Sequence, residues 1–343
     1  MERPKSKDEF RKSLAESFVH VLEEKGLEWK KEWTGSGGLA PQNGITSRNY
    51  RGCNAFSLSL QAMAKGYDDP RWLTMVQIMD KDNKYHPGQN WHLKKGSKAT
   101  YVEYWYPWDN KEKKALSWDD YRQALKDGRK AEEFKLSTRY TAVFNASEVE
   151  GIPTIEQPQN TDIAEDELIR LLSEGMGVEI INDGGDRAYY SPMQDKIHLP
   201  EAGSFTSEYA YNATTLHELS HASGHPTRLN RQQGAFFGTA QYAYEELVAE
   251  MCSCFMGVNL KTELTPEHLE NHKAYVQSWI QEITDKPDTL VKAIKDAQCA
   301  ADYMEYKAGL LPEKEYEKRQ GDVLIQPVQT VEREKNKHRE YER

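Results

Sequence analysis

Apolar residues three and four apart recur near the start of the chain. Phe10, Leu14, Phe18, Val21 and Leu22, closed by Gly26, predict an amphipathic helix over about 8–27. A second such run, Phe56, Leu60, Met63 and Ala64 within Asn54–Lys65, ends at Gly66, and Thr74–Met79 has the length of a short helix. Between the first two runs, the Gly-rich stretch Trp33–Asn49 is a loop. The period then changes. Ala99–Tyr106 and Arg139–Phe144 are rich in β-branched and aromatic residues and read as strands, with the charged interval 109–135 as an excursion between them. Gly151–Asn160 places two Pro among polar residues and marks a junction. Beyond it, Val178–Asn182 reads as a strand, Gly184-Gly185 as a turn, Ala188–Tyr190 as its hairpin partner and Lys196–Leu199 as a further strand. Helices are expected at about 162–173, 207–223, 240–256, 265–284 and 287–308. The charge-rich end from 312 reads as disordered.

This pattern gives an α+β protein of two domains, residues 1–150 and 163–310, with a linker at 151–162 and a tail at 311–343. The length of 343 residues agrees, at roughly 100–200 residues per domain. Charge separates the halves: residues 1–150 carry 26 basic and 22 acidic side chains, whereas the rest carries 19 and 33. Seven of the eight Trp also lie in the first half, which suits a nucleic-acid-binding module joined to a domain with another task. No apolar run approaches the roughly 20 residues of a membrane span, and the start lacks the apolar stretch of a secretory signal. Four scattered Cys make no disulfide framework, so a reducing cytoplasm is expected.

The candidate chemistry lies in His217-Glu218-Leu219-Ser220-His221. On a helix, residues four apart point within about 40° of each other, so both imidazoles can reach one Zn²⁺. Glu218 is placed to act as general base on water whose pKa zinc lowers to about 7. Zinc needs a third protein ligand. The longer pattern H-E-x-x-H-x-x-G-x-x-H fails, because Thr227 stands at its last position and His225 is out of register. A later helix offers Glu246 and Glu250 in E-x-x-A-E. Glu246 is the expected ligand, and Glu250 the carboxylate that holds the far nitrogen of a ligating His. Glu245, about 100° round the helix, is the alternative.

A peptidase also needs an edge strand to hold an extended substrate. Ile197, His198 and Leu199, flanked by Pro192 and Pro200, are the candidates. Tyr190 and Tyr211 are candidates for stabilising an oxyanion, with plain packing as the competing role.

The chain resembles the ArdC-type antirestriction proteins of conjugative plasmids and other mobile elements over roughly residues 8–308. In the first half the resemblance runs through Trp29 with Trp33, Pro41-Gln42-Asn43, Tyr50-Arg51-Gly52-Cys53-Asn54, Asp69-Pro70-Arg71-Trp72-Leu73-Thr74, Leu93-Lys94-Lys95-Gly96-Ser97-Lys98 and Val143-Phe144-Asn145. In the second half it runs through Ala188-Tyr189-Tyr190-Ser191-Pro192, the H-E-x-x-H motif, Arg228-Leu229 and Glu245-Glu246-Leu247-Val248-Ala249-Glu250. It implies an N-terminal α+β domain that binds single-stranded DNA and a mostly helical, gluzincin-like zincin domain with a small sheet. It also implies a role in shielding transferred plasmid DNA from restriction; primases of some conjugative plasmids carry a similar first domain. Single-strand binding needs cations for phosphates and rings for bases. The candidates are Tyr50, Arg51 and Asn54, then Arg71 with Trp72, then Lys94, Lys95 and Lys98 near Trp91 and Tyr101.

The expected function is therefore single-stranded-DNA binding combined with zinc-dependent hydrolysis of a peptide bond in a protein substrate met on that DNA, in the cytoplasm of a donor or recipient cell. The alternative is a non-catalytic DNA shield in which the zinc site is structural or latent. The excess of acidic residues after 150 places the expected DNA surface within residues 1–150.

Overall fold

The computed structural model of the chain describes residues 3–26, 29, 40–155, 165–205, 207–231, 239–260 and 273–324. Residues 33–39 of the expected loop, 156–164 around the junction, 265–272 of an expected helix and 325–343 of the tail lie outside the described residues. The described chain forms two compact units. One joins the residues up to Glu103 to Tyr140–Tyr316; the other is built on Tyr104–Arg139.

In the first unit, helix α1 (Lys7–Lys25) begins where the Ser6 side chain accepts from Glu9 N, with Asp8 and Glu9 at the positive end of the helix dipole. Its buried face is Phe10, Leu14, Ala15, Phe18 and Leu22. Helix α2 (Gly52–Lys65) stops at Gly66, whose φ of 65° suits a residue without Cβ. Helix α3 (Met75–Met79) opens on a capping box between Thr74 and Gln77. Strands β1 (Gln42–Asn43) and β2 (Arg71–Thr74) pair in parallel, and β2 runs antiparallel to β6 (Phe134–Asn145). The neighbour of β6 is β4 (Thr100–Asp109). A separate pair joins β3 (His92–Leu93) to β7 (Val149–Glu150).

The second half contributes α5 (Glu165–Met176), β8 (Glu179–Asn182), β9 (Tyr189–Ser191) and β10 (Lys196–Leu199), then the helices α6 (Glu208–Ala222), α7 (Ala240–Leu260), α8 (Lys273–Asp285) and α9 (Asp288–Lys307). The sheet order is β8-β10-β9. The expected hairpin of β8 with β9 is corrected accordingly: the tight turn is the one between β9 and β10, where Asp195 N donates to Ser191 O at 2.8 Å. Asp195 takes a φ of 53° there. The chain after β8 crosses over, so that β8 and β10 pair in parallel from Glu179↔Lys196 to Asn182↔Leu199.

One hydrophobic core runs through both halves of the sequence. Leu14, Phe18, Trp29, Phe56 and Leu60 join Leu216, Leu219, Leu247, Met251, Trp279, Ile294 and Met304 in a single cluster. Helix α1 packs on α8, and α2 packs on α9. There Arg51 pairs with the buried Asp302, and Gly52 N donates to Gln298 Oε1 at 3.1 Å. The tail is corrected in part: Glu313–Leu324 form a helix, α10, with Tyr316 stacked on Tyr306 at 4.4 Å between ring centroids.

The second unit turns the charged excursion into a folded insert. It holds the outer lengths of β4 and β6, β5 (Lys114–Ala115) paired with Trp108 and Asp109, and α4 (Trp118–Lys126) capped by Ser117. Asp109 is fully buried and accepts from Arg129 at 2.5 and 3.1 Å and from the Lys111 and Glu112 amides. The Arg129 hydrogen bond holds its carboxyl well below the usual carboxylate range. No helix among the described residues is long and apolar enough to cross a membrane.

Candidate metal centre

Helix α6 starts cleanly because the Ser207 side chain accepts from Ala210 N. It buries Leu216 and Leu219 in the core and turns His217 and His221 toward α7. There the spacing read from the sequence becomes a cage: His217, His221 and Glu246 each offer one ligand atom, all within 4.8 Å of one another. Nε2 of His217 and Nε2 of His221 lie 3.1 Å apart. Glu246 Oε2 lies 3.5 Å from the first and 3.7 Å from the second. A tetrahedral ion with bonds of about 2.0–2.1 Å has ligand edges of about 3.3–3.4 Å, so two imidazoles and a carboxylate at these separations fit a divalent cation.

Each imidazole is backed by a carboxylate. Glu250 Oε1 lies 3.7 Å from His217 Nδ1, and Glu245 Oε1 lies 3.4 Å from His221 Nδ1. Glu245, the alternative ligand in the sequence, thus stands behind His221 and outside the cage. Arg231 fixes it, donating to both carboxylate oxygens at 2.7 and 3.1 Å, to Ser220 O at 2.7 Å and to Ser223 Oγ at 2.8 Å. Burial opposes charge on His221, yet the carboxylates of Glu246, Glu245 and Glu218 outweigh it and raise its pKa well above the ordinary imidazole value. A pocket with this excess of negative charge favours a cation.

Glu218 points elsewhere. Its Oε2 accepts from Tyr190 N of β9 at 2.8 Å, which holds the carboxylate beside the cage without entering it. Two tyrosines absent from the sequence reading also meet the cage. Burial first, then the Glu246 charge, pushes the Tyr242 and Tyr275 phenols up, and their ring centroids are 5.6 Å apart. Tyr242 sits one helical turn before Glu246, a signal the sequence does carry, whereas Tyr275 arrives from α8 with none. The earlier oxyanion candidates are engaged otherwise: Tyr190 OH donates to Asp195 at 2.7 Å, and Tyr211 OH donates to Asn182 at 3.3 Å.

The edge-strand assignment is corrected. Ile197, His198 and Leu199 lie in β10, the middle strand, with β8 on one side and β9 on the other, so their backbone is already paired. Ile197 and Leu199 are fully buried, and His198 is held between Asp183 at 2.7 Å and Gln194 at 2.8 Å. The strand at the border beside α6 is β9.

Half of the residues singled out for DNA are committed to partners within the fold. Trp72 is 1% exposed, so its ring is closed to a base. Arg71 is bound by Asp69 and by Pro153 O, and Arg51 by Asp302. Asn54 clamps the backbone of Glu103, donating to its carbonyl at 2.7 Å and accepting from its amide at 2.8 Å. Tyr50 is half-buried. Lys94, Lys95 and Lys98 are exposed, and Lys94 Nζ donates to Ser147 O at 2.8 Å.

Two helices that present this cage beside a small mixed sheet define a zincin-like metallopeptidase domain, and the family described as "Zincin-like metallopeptidase" matches residues 167–296. Residues 8–144 match the "N-terminal domain of anti-restriction factor ArdC". Together the two matches give the chain the domain composition of the ArdC-type antirestriction proteins. It is similar to the crystal structure of the antirestriction protein ArdC of plasmid R388 in its metal-free form, with a TM-score of 0.67 and 27% identity over 88% of this chain and 99% of that one. An Mn(II)-bound structure of the same protein matches with a TM-score of 0.66. The DNA primase TraC of Escherichia coli is 32% identical over 307 residues, which cover 87% of this chain but 27% of the primase. An uncharacterized protein, y4eC of Sinorhizobium fredii (strain NBRC 101917 / NGR234), is 29% identical over 88% of this chain and 93% of its own length.

Proposed function

We propose that the chain is an antirestriction protein of a mobile element that binds single-stranded DNA with its N-terminal domain and hydrolyses a peptide bond at a zinc site. The observation that carries the hydrolytic part is the cage of His217, His221 and Glu246 with Glu218 held beside it. A cation bound there would supply Lewis acidity, lowering the pKa of water and polarising a carbonyl. Glu250 and Glu245 orient the two imidazoles so that Nε2 of each faces the cage. Glu218, pinned by Tyr190 N, takes the proton from the attacking water and returns it to the leaving amine. The Mn(II)-bound structure of the similar R388 protein supports a divalent ion as the kind of metal this fold takes. DNA binding is supported by the match to the ArdC N-terminal domain and by the excess of cations over carboxylates in residues 1–150.

Two variants test the reading. Glu246→Ala is expected to lose the zinc that the intact protein holds. Glu218→Gln is expected to keep zinc but lose protection of a plasmid transferred into a restricting host. Full protection by Glu218→Gln, with zinc and DNA binding intact, would replace the peptidase by the non-catalytic shield.

A further inference from the structure

We propose that Tyr104, Tyr106 and Trp108 of β4, with Lys135, Ser137 and Arg139 of β6, form a stacking surface for a single-stranded nucleic acid. The proposal rests on the single-strand-binding part of the function above. It gives that binding a place shared by none of the residues singled out from the sequence.

The six residues lie on one face. Alternation along a strand puts Tyr104, Tyr106 and Trp108 on the same side. The Arg139 guanidinium stands 4.4 Å from the centroid of the Tyr104 ring, and the Lys135 ammonium stands 5.8 Å from that of Trp108. Four residues forward in β4 therefore match four residues back in β6, the relation of an antiparallel pair, and the cations alternate with the rings across it. The opposite side of β6 is occupied: Phe134 meets Tyr121 of α4 at 5.1 Å and the Arg129 guanidinium at 4.4 Å.

The chemistry of this face fits one class of ligand. Tyr104 is 43% exposed, as unusual for a large ring as its neighbours Lys135 and Arg139 are usual for cations. The Tyr104 and Tyr106 rings are within 15° of parallel, with centroids 6.4 Å apart. That spacing is the two-residue rise of the strand, so bases splayed along an extended single strand would meet one ring each. A duplex keeps its base faces stacked and offers nothing to such rings. None of the six residues is a carboxylate, and among the described residues no carboxylate forms an ion pair with Lys135 or Arg139. Elsewhere in this unit Arg129 is held by Asp109 and Glu133, Arg122 by Asp119 and Lys114 by Glu112. Two cations without a carboxylate partner, beside the exposed Tyr104 and the half-buried Tyr106 and Trp108, suit phosphates and bases together.

The test uses the full-length protein and fluorescence anisotropy of a labelled oligothymidylate, with a duplex of the same length for comparison. Tyr104→Ala and Tyr106→Ala are each expected to weaken single-strand binding roughly five- to hundredfold, while Tyr104→Phe keeps it. Lys135→Ala and Arg139→Ala are each expected to flatten the plot of log affinity against log salt by about 0.7. Circular dichroism and metal content, unchanged in every variant, show that the fold is kept. If the intact protein binds the oligonucleotide and the folded double variant Tyr104→Ala/Tyr106→Ala binds it equally well, this surface is refuted and single-strand binding stands. If the intact protein does not bind it, both fail. Duplex bound as tightly as single strand would refute stacking.

Discussion

The clamp behind His221 can be broken at a residue that touches no metal. Arg231→Met keeps most of the side-chain length and removes the guanidinium. The Arg231 and Glu245 side chains are 9% and 11% exposed, so the Glu245 carboxylate would lose its guanidinium in a nearly dry pocket and keep only His221 as a cationic neighbour. Removing one partner of a buried ion pair costs about 3–5 kcal/mol, a large share of the 5–15 kcal/mol that holds a typical protein folded. The urea midpoint of the metal-free protein reads this loss. A second effect follows from the same contact. Glu245 sits 3.4 Å from His221 Nδ1 only while Arg231 holds it, and outer partners of this kind are worth about 10–100-fold in metal affinity. Competition against a chromophoric chelator should show a loss of that size in Arg231→Met. The double variant Arg231→Met/Glu245→Gln should regain most of the stability, because the stranded charge is gone, but little of the affinity. A folded Arg231→Met with the stability and zinc affinity of the parent would refute the reasoning.

Two further predictions concern the frame around the sites. Gly175→Ala should improve α5 by helix propensity alone, yet a Cβ there would collide with the Lys307 carbonyl oxygen and stand 2.9 Å from Ala308 N. A melting temperature lowered by the equivalent of about 1–3 kcal/mol is expected, and an unchanged or raised one would contradict the packing of α5 against α9. Asp80 accepts from the amides of Lys84, Tyr85 and His86 at 2.7, 2.9 and 2.8 Å. Burial pushes its pKa up, but these bonds outweigh it and leave the carboxyl below the usual range. Its contribution is therefore complete above the unfolded value of about 3.9 and lost as pH falls through the lower folded value. Urea midpoints measured from pH 5 downward should fall less steeply in Asp80→Asn; parallel curves would show that these bonds carry no such linkage.

What the sequence revealed of this molecule was local. His217 and His221, like Glu246 and Glu250, are four apart on one helix, so a helical period alone brings each pair to one face. Most helices and the strands β4, β6, β8, β9 and β10 were visible from similarly local patterns, whereas α4, α10, β1, β2, β3, β5 and β7 were not. What escaped depended on partners far along the chain. The central place of β10 comes from parallel pairing with β8 across an intervening strand, and adjacency in sequence favours the wrong hairpin. Arg51 and Trp72 look like a phosphate contact and a base platform, because nothing nearby announces Asp302 or the core that claims the ring. Glu245 stands behind His221 only by virtue of Arg231. The ladder at 104, 106 and 108 is plain in alternation, but its cations come from a strand that the charged insert holds apart in sequence.

The core shared by α1, α2, α8 and α9 has a consequence for how such genes are recombined. A break near residue 150 would strand Leu14, Phe18, Leu22 and Trp29, each at most 2% exposed, in one piece and leave Trp279, Ile294 and their neighbours uncovered in the other. Burying a side chain of this kind is worth about 1.5–3 kcal/mol, so several lost at once exceed the margin of either fragment. Exchange between genes is then viable at the ends of the pair and penalised within it. The stretch shared with the primase TraC covers 87% of this chain and so includes both halves, as expected if the two are kept together.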